Sequence, residues 1–160
     1  MILKRKIDLA IQFKEYPQSK FGVVRKHDIH TGIDIYCEIN DEVFSVLDGT
    51  IIDIGIFTGE KVSSPWWNET GYIEINHGYF YILYGEIKVI PELKVGDKIE
   101  KDTLLGNVQK ILKKENTKNP PTMIHLEFYS RYNEPTEWSL GRDKPQNLLN
   151  PMDFIELLFS

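Results

Sequence analysis

The 160-residue chain has one cysteine, four histidines, and no apolar run near the ~20 residues that a membrane-spanning helix needs. A single cysteine excludes an intrachain disulfide and any disulfide scaffold. Basic residues are in deficit, 19 Lys+Arg against 24 Asp+Glu for a net charge of −5. Phosphate binding needs a basic face, so no nucleic-acid partner is expected, and no membrane span either. The basic runs Lys4-Arg5-Lys6 and Lys113-Lys114 are short and set among acidic residues, which reads as solvated surface. At the start, Met1 to Asp8 carries basic residues with no uninterrupted apolar stretch after them, so no signal peptide is read there. The expectation is a protein that is cytoplasmic as synthesised and reaches any outside target by a non-Sec route or a phage particle.

What is present is alternation. In Ile33-Asp34-Ile35-Tyr36-Cys37-Glu38-Ile39 the odd positions are apolar, the signature of a half-buried strand, with Cys37 on its buried face. Further strand-like runs follow at Val43–Leu47, Thr50–Phe57, Tyr72–Asn76, Tyr79–Tyr84, Thr103–Leu112 and Met123–Tyr129. Asp48-Gly49, Thr58-Gly59, His77-Gly78, Gly96-Asp97 and Pro120-Pro121 punctuate them. Closely spaced short strands with tight turns predict an all-β fold, an antiparallel sandwich or barrel-like domain. One helix is predicted, at the C-terminus, where Asn150 caps, Pro151 fits the first turn, and Phe154, Leu157 and Leu158 form a stripe. Residues 1–20 read as an N-terminal extension packed on a domain of residues 21–160.

Two of the histidines stand near candidate partners. His30-Thr31-Gly32-Ile33-Asp34 sets an imidazole and a carboxylate four residues apart, with a glycine permitting close approach between them. In Met123–Phe128, alternation puts Met123, His125 and Glu127 on one face and Ile124, Leu126 and Phe128 on the buried one. Two imidazoles and a carboxylate would suit tetrahedral zinc with a fourth position open, although spacing alone does not bring them together. Trp66-Trp67 lies in a loop, where the rings either line a ligand groove or pin the loop onto the sheet.

The succession of motifs resembles the lysostaphin/LytM-type zinc metallopeptidases, which cut peptide links in bacterial cell walls. The H-x-G-x-D pattern of that family is matched by His30, Gly32 and Asp34, and its "V-x-I-x-H-G" strand by Tyr72 to Gly78. Its glycine-containing hairpin is matched by Leu93 to Val108, and its "H-L-H-F-E" strand by Met123 to Glu127. The likeness runs in unbroken order over residues 21–158. It implies a β domain whose groove carries one Zn²⁺, held by His30, Asp34 and His125, with a peptide or peptidoglycan-like ligand, or a protein partner. Trp66, Trp67 and Tyr84 are the candidate ligand contacts.

The resemblance also implies two catalytic histidines, and both are replaced. One falls at Glu86, in Tyr84-Gly85-Glu86, and the other at Met123. The Lys113–Pro120 segment likewise departs from the glycine- and threonine-rich approach to the last strand. Peptide hydrolysis on zinc needs a base for the attacking water and donors for the developing oxyanion. Methionine supplies neither. Glu86 is the candidate base, so catalysis is expected to be impaired or rebuilt around it, the alternative being an active zinc endopeptidase. Glu127 reads as a salt-bridge partner, His77 as a turn histidine or one near the metal, and His27 as a loop residue.

Overall fold

Alternating isoleucines drive the architecture, because each strand buries one side against a common core. A computed structural model of the protein describes residues 1–114 and 118–160, so Glu115, Asn116 and Thr117 of the divergent Lys113–Pro120 segment lie outside the described residues. The sheet contains β2 (Ile33–Tyr36), β3 (Glu42–Phe44), β4 (Gly49–Thr58), β5 (Thr70–Asn76), β6 (Tyr81–Val89), β7 (Lys98–Ile99), β8 (Leu104–Val108), β9 (Met123–Tyr129) and β11 (Leu148–Leu149). A separate two-stranded ribbon joins β1 (Asp28–Ile29) to β10 (Trp138–Ser139). All pairings are antiparallel, and the long path runs β11-β9-β6-β5-β4-β7. One edge of β9 carries β6; the other is shared by β2 and β11. The fold is the β-rich one expected.

One sheet face holds the main core, including Ile33, Ile35, Ile73, Ile75, Ile82, Tyr84, Ile124, Leu126 and Phe128. The other face buries Tyr72, Leu83, Tyr129 and Leu148 in a smaller cluster against Phe57 and Trp138. The C-terminal helix forms as a 3-10 turn, Pro151–Phe154, running into α2 (Ile155–Leu158), with the Asn150 side chain accepting from the Met152 N–H at 3.0 Å. Phe154 stacks on Phe128 with ring centroids 5.2 Å apart.

Two expectations need correction. β2 ends at Tyr36, so Ile39 is exposed, whereas Cys37 is buried as expected and its thiol is pushed up to about 12, mainly by burial. A second helix, α1 (Leu9–Glu15), lies near the N-terminus. Asp8 caps it through the Ile11 N–H, and Leu9, Gln12 and Phe13 form its buried face. The polar Gln12 at an inward position interrupts the apolar stripe that would have marked the helix. Ahead of it, Ile2 and Leu3 are fully buried in the main core, and the Ile2 backbone bonds to both Leu158 and Phe44. Among the described residues, no helix is long and apolar enough to cross a membrane.

Candidate metal centre

Side chains from β2, from β9 and from the link before β2 converge on one point. Antiparallel pairing of β2 with β9 sets Asp34 directly opposite His125, and the three-residue link between β1 and β2 carries His30 to the same spot. Gly32 makes the approach possible, since a Cβ there would lie 2.1 Å from the Leu126 carbonyl oxygen and 2.9 Å from His125 Nε2. His30 Nε2, Asp34 Oδ1 and His125 Nδ1 form a triangle with sides of 3.1, 2.9 and 3.2 Å. Ligand atoms on tetrahedral zinc, each ~2.0–2.1 Å from the ion, stand roughly 3.3 Å apart. The triangle therefore fits a single zinc-sized cation, and all three side chains are buried.

Each imidazole has its other nitrogen engaged. His30 Nδ1 lies 2.7 Å from the Lys20 carbonyl, so it carries the proton and leaves the Nε2 lone pair facing the triangle. His125 Nε2 donates to Glu127 Oε1 at 3.0 Å, which frees Nδ1 in the same way. The other oxygen of Asp34, Oδ2, accepts from Arg25 at 2.8 Å, and Arg25 also donates to the Gln18 carbonyl. Gln12 brackets the Asp34 backbone, its Nε2 donating to the Asp34 carbonyl at 2.8 Å and its Oε1 accepting the Tyr36 N–H at 2.9 Å.

Electrostatics favour a cation here. Burial would raise Asp34, but His30 and His125 together hold its carboxyl well below the usual range. Burial likewise opposes an imidazolium at His125, yet hydrogen bonds to Asp34 and Glu127 push it up to about 10. A proton and a divalent ion thus compete for one lone pair. Glu127, despite its burial, stays ionised below its ordinary value because it accepts from His125, from Thr31 at 2.6 Å and from Tyr129.

Glu86 arrives by a local irregularity. Strict alternation along β6 would put it beside Ile82 and Tyr84 in the main core. Instead the register slips, with Tyr72 opposite Gly85 and Gly71 opposite Ile87, and Glu86 is the extra residue of a bulge at φ +65°. Its carboxyl consequently lines the groove with His125 and Glu127. Burial, reinforced by Asp34, pushes Glu86 up to about 8, and its Oε2 has no hydrogen-bond partner.

The groove has a volume of about 550 Å³ and runs from the ribbon of β1 and β10 to β4. Trp67 lines it; Trp66, 62% exposed, does not, and the two rings meet edge to face at 5.9 Å. Tyr84 is corrected as a ligand contact. It faces the main core fully buried, with its hydroxyl on the Val46 N–H and on His77 Nε2. His77 is accordingly a turn histidine, its Nδ1 on the Asp48 carbonyl. Met123 is half-buried at the start of β9, and His27 is exposed. Sequence reasoning missed Phe57, whose ring lies 5.2 Å from that of His125, and Glu134, Glu137 and Trp138 of the opposite wall. Nothing local in the sequence marks the last three, because the long 130–147 connection brings them in, while Phe57 comes from β4.

No curated protein matches the sequence. Among solved structures, cbpa from L. salivarius REN is similar, with a TM-score of 0.57 and 17% identity over 88% of this chain and 86% of that one. The catalytic domain of the antimicrobial peptidase lysostaphin from Staphylococcus simulans gives 0.55 and 17%, covering 86% of this chain and 89% of its own. A mutant catalytic domain of the prophage-encoded M23 protein EnpA from Enterococcus faecalis gives 0.54 and 19%, covering 84% and 86%. At such identities the likeness is one of fold. The sequence model of Peptidase family M23 goes further: it matches residues 28–137, the stretch that supplies every corner of the triangle and the Glu86 bulge, and the chain therefore belongs to that family.

Proposed function

We propose that the domain holds one zinc ion at His30, Asp34 and His125 and takes a peptide of the cell-wall type in the adjoining groove, with hydrolysis impaired and dependent on Glu86. The observation that carries this reading is the triangle of two imidazole lone pairs and a carboxylate oxygen, each imidazole fixed in its tautomer by a partner on the far nitrogen. Zinc bound there would polarise a peptide carbonyl and acidify a water. His30, Asp34 and His125 would hold the ion beside the groove that His30 and His125 also line.

The proton chemistry falls to Glu86. Ionised, its carboxylate takes a proton from the attacking water; protonated, it donates a hydrogen bond to a developing oxyanion. One carboxyl does not play both parts at once, and Met123 offers neither a proton nor a basic lone pair. Loss of a single oxyanion donor typically costs ~10²–10³ in rate, which sets the expected deficit against a centre with two imidazoles. A relative in fold supports a peptide substrate: lysostaphin is an antimicrobial peptidase.

The test is zinc content and cleavage together. Zinc-loaded protein is incubated with glycine-rich peptides and cross-linked cell-wall peptides. One zinc per chain, lost in His30→Ala, with slow cleavage that vanishes in Glu86→Gln, is the expected result. Fast cleavage abolished by Glu86→Gln would favour the fully active endopeptidase, which the placement of Glu86 beside the triangle also allows. Zinc uptake unchanged in His30→Ala would sink both.

A further inference from the structure

The groove is lopsided in charge. Four carboxylates line it, Asp28, Glu127, Glu134 and Glu137, together with the buried carboxyl of Glu86, against a single guanidinium, Arg25. Arg25 is already engaged, with Nη2 2.8 Å from both Asp34 Oδ2 and the Gln18 carbonyl. Glu127 is engaged too, by His125, Thr31 and Tyr129. Asp28, Glu134 and Glu137 are exposed at the rim, and among the described residues none of them forms an ion pair. A zinc ion would not reverse this balance, because Asp34 and Glu127 already offset its two charges.

Glu86 is an independent pointer to a ligand. It is 5% exposed, it lines the groove, and its Oε2 is a buried acceptor with no donor from its own fold. Buried acceptors are nearly always satisfied, so an orphan on a groove wall marks where an incoming donor belongs. The remaining walls include the aromatic side chains of Phe57, Trp67, Tyr72 and Trp138, a class of ring that attracts cations. Donor-seeking carboxyls beside aromatic side chains recognise an ammonium group better than a neutral amide, and they repel a carboxylate.

We propose that the groove selects a peptide bearing a positively charged amine, from either a lysine-type side chain or a free amino terminus, and turns away peptides that carry additional carboxylates. This rests on the peptide-groove reading above and names the chemistry of its ligand. Rim carboxylates steer the amine in, and the orphan acceptor of Glu86 receives one of its N–H donors.

The experiment is calorimetric titration of zinc-loaded protein with matched glycine pentapeptides. One is blocked at both ends, one is blocked with a central lysine, one is blocked with a central glutamate, and one has a free amino terminus. The lysine peptide, the free-amine peptide or both should bind about tenfold more tightly than the blocked glycine peptide, with the glutamate peptide weakest. Whichever of the two amines gains identifies the source. The margin should shrink as salt is raised and collapse toward unity in Glu134→Gln/Glu137→Gln. Equal affinity for all four peptides overturns the charge preference and leaves the peptide groove standing. Binding of none overturns both.

Discussion

At Glu86 a left-handed backbone and a buried carboxyl coincide, and substitution separates them. A non-glycine residue at φ +65° carries a steric penalty of about 1–2 kcal/mol, which the packed bulge of β6 imposes. Glycine and alanine both delete the carboxyl, but only glycine removes the penalty. Glu86→Gly should therefore be more stable than Glu86→Ala by about 1 kcal/mol, read from urea midpoints at constant slope. Equal stabilities would mean that the bulge relaxes when the side chain goes. The same residue explains a limit of sequence reading. Period-2 alternation put His125 on the groove face and Leu126 in the core without error, since β9 is regular. On β6 the rule would bury Glu86 in the core beside Tyr84, because nothing in Tyr84-Gly85-Glu86 announces the extra residue that reverses the faces there.

Strand β2 pairs with β9 along one edge only, and the arm formed by α1 and the turn after it covers the other. Gln12 acts there as a single-residue strand partner, giving one donor and one acceptor to the backbone around Asp34. Gln12→Leu keeps the bulk but leaves the Asp34 carbonyl and the Tyr36 N–H unpaired, so a loss of about 1–3 kcal/mol is expected by denaturant unfolding. Zinc affinity should fall with it, by about 10–100-fold in competition with a chelator, since the groups that orient ligands matter nearly as much as the ligands. Asp8→Ala supplies the control: losing the α1 cap should cost about 1 kcal/mol while zinc affinity holds. A buried glutamine has no periodic signature, and this is why the arm read as an undifferentiated extension while the C-terminal helix, with Asn150 and Pro151 at its start, was legible.

Over the whole molecule, stability should carry a pH dependence set on the groove side of the sheet. Glu74, on β5, is fully buried; its Oε1 accepts only a 3.4 Å bond from the Asn133 N–H and its Oε2 none. Burial, followed by the charges of Asp53 and Glu127, pushes it up to about 8 from 4.5. The folded state thus holds a proton that the unfolded chain releases, so this stabilisation is complete below pH ~4.5 and is lost as pH rises toward about 8. Glu74→Gln should flatten that decline, its urea midpoint gaining on the wild type between about pH 5 and 9; parallel curves would exclude Glu74 as the cause. Lys20 and Gln18, whose carbonyls receive His30 and Arg25, lie outside the family match of residues 28–137. An ion held by His30, Asp34 and His125 would therefore be a thermodynamic partner of the arm, and linkage would make their effect reciprocal. Whatever factor the docked arm adds to zinc affinity, zinc must add to docking of the arm. Amide hydrogens of residues 9–20 should exchange more slowly once zinc is added, so an ion bound at one end of the groove would be reported by a helix that never touches it.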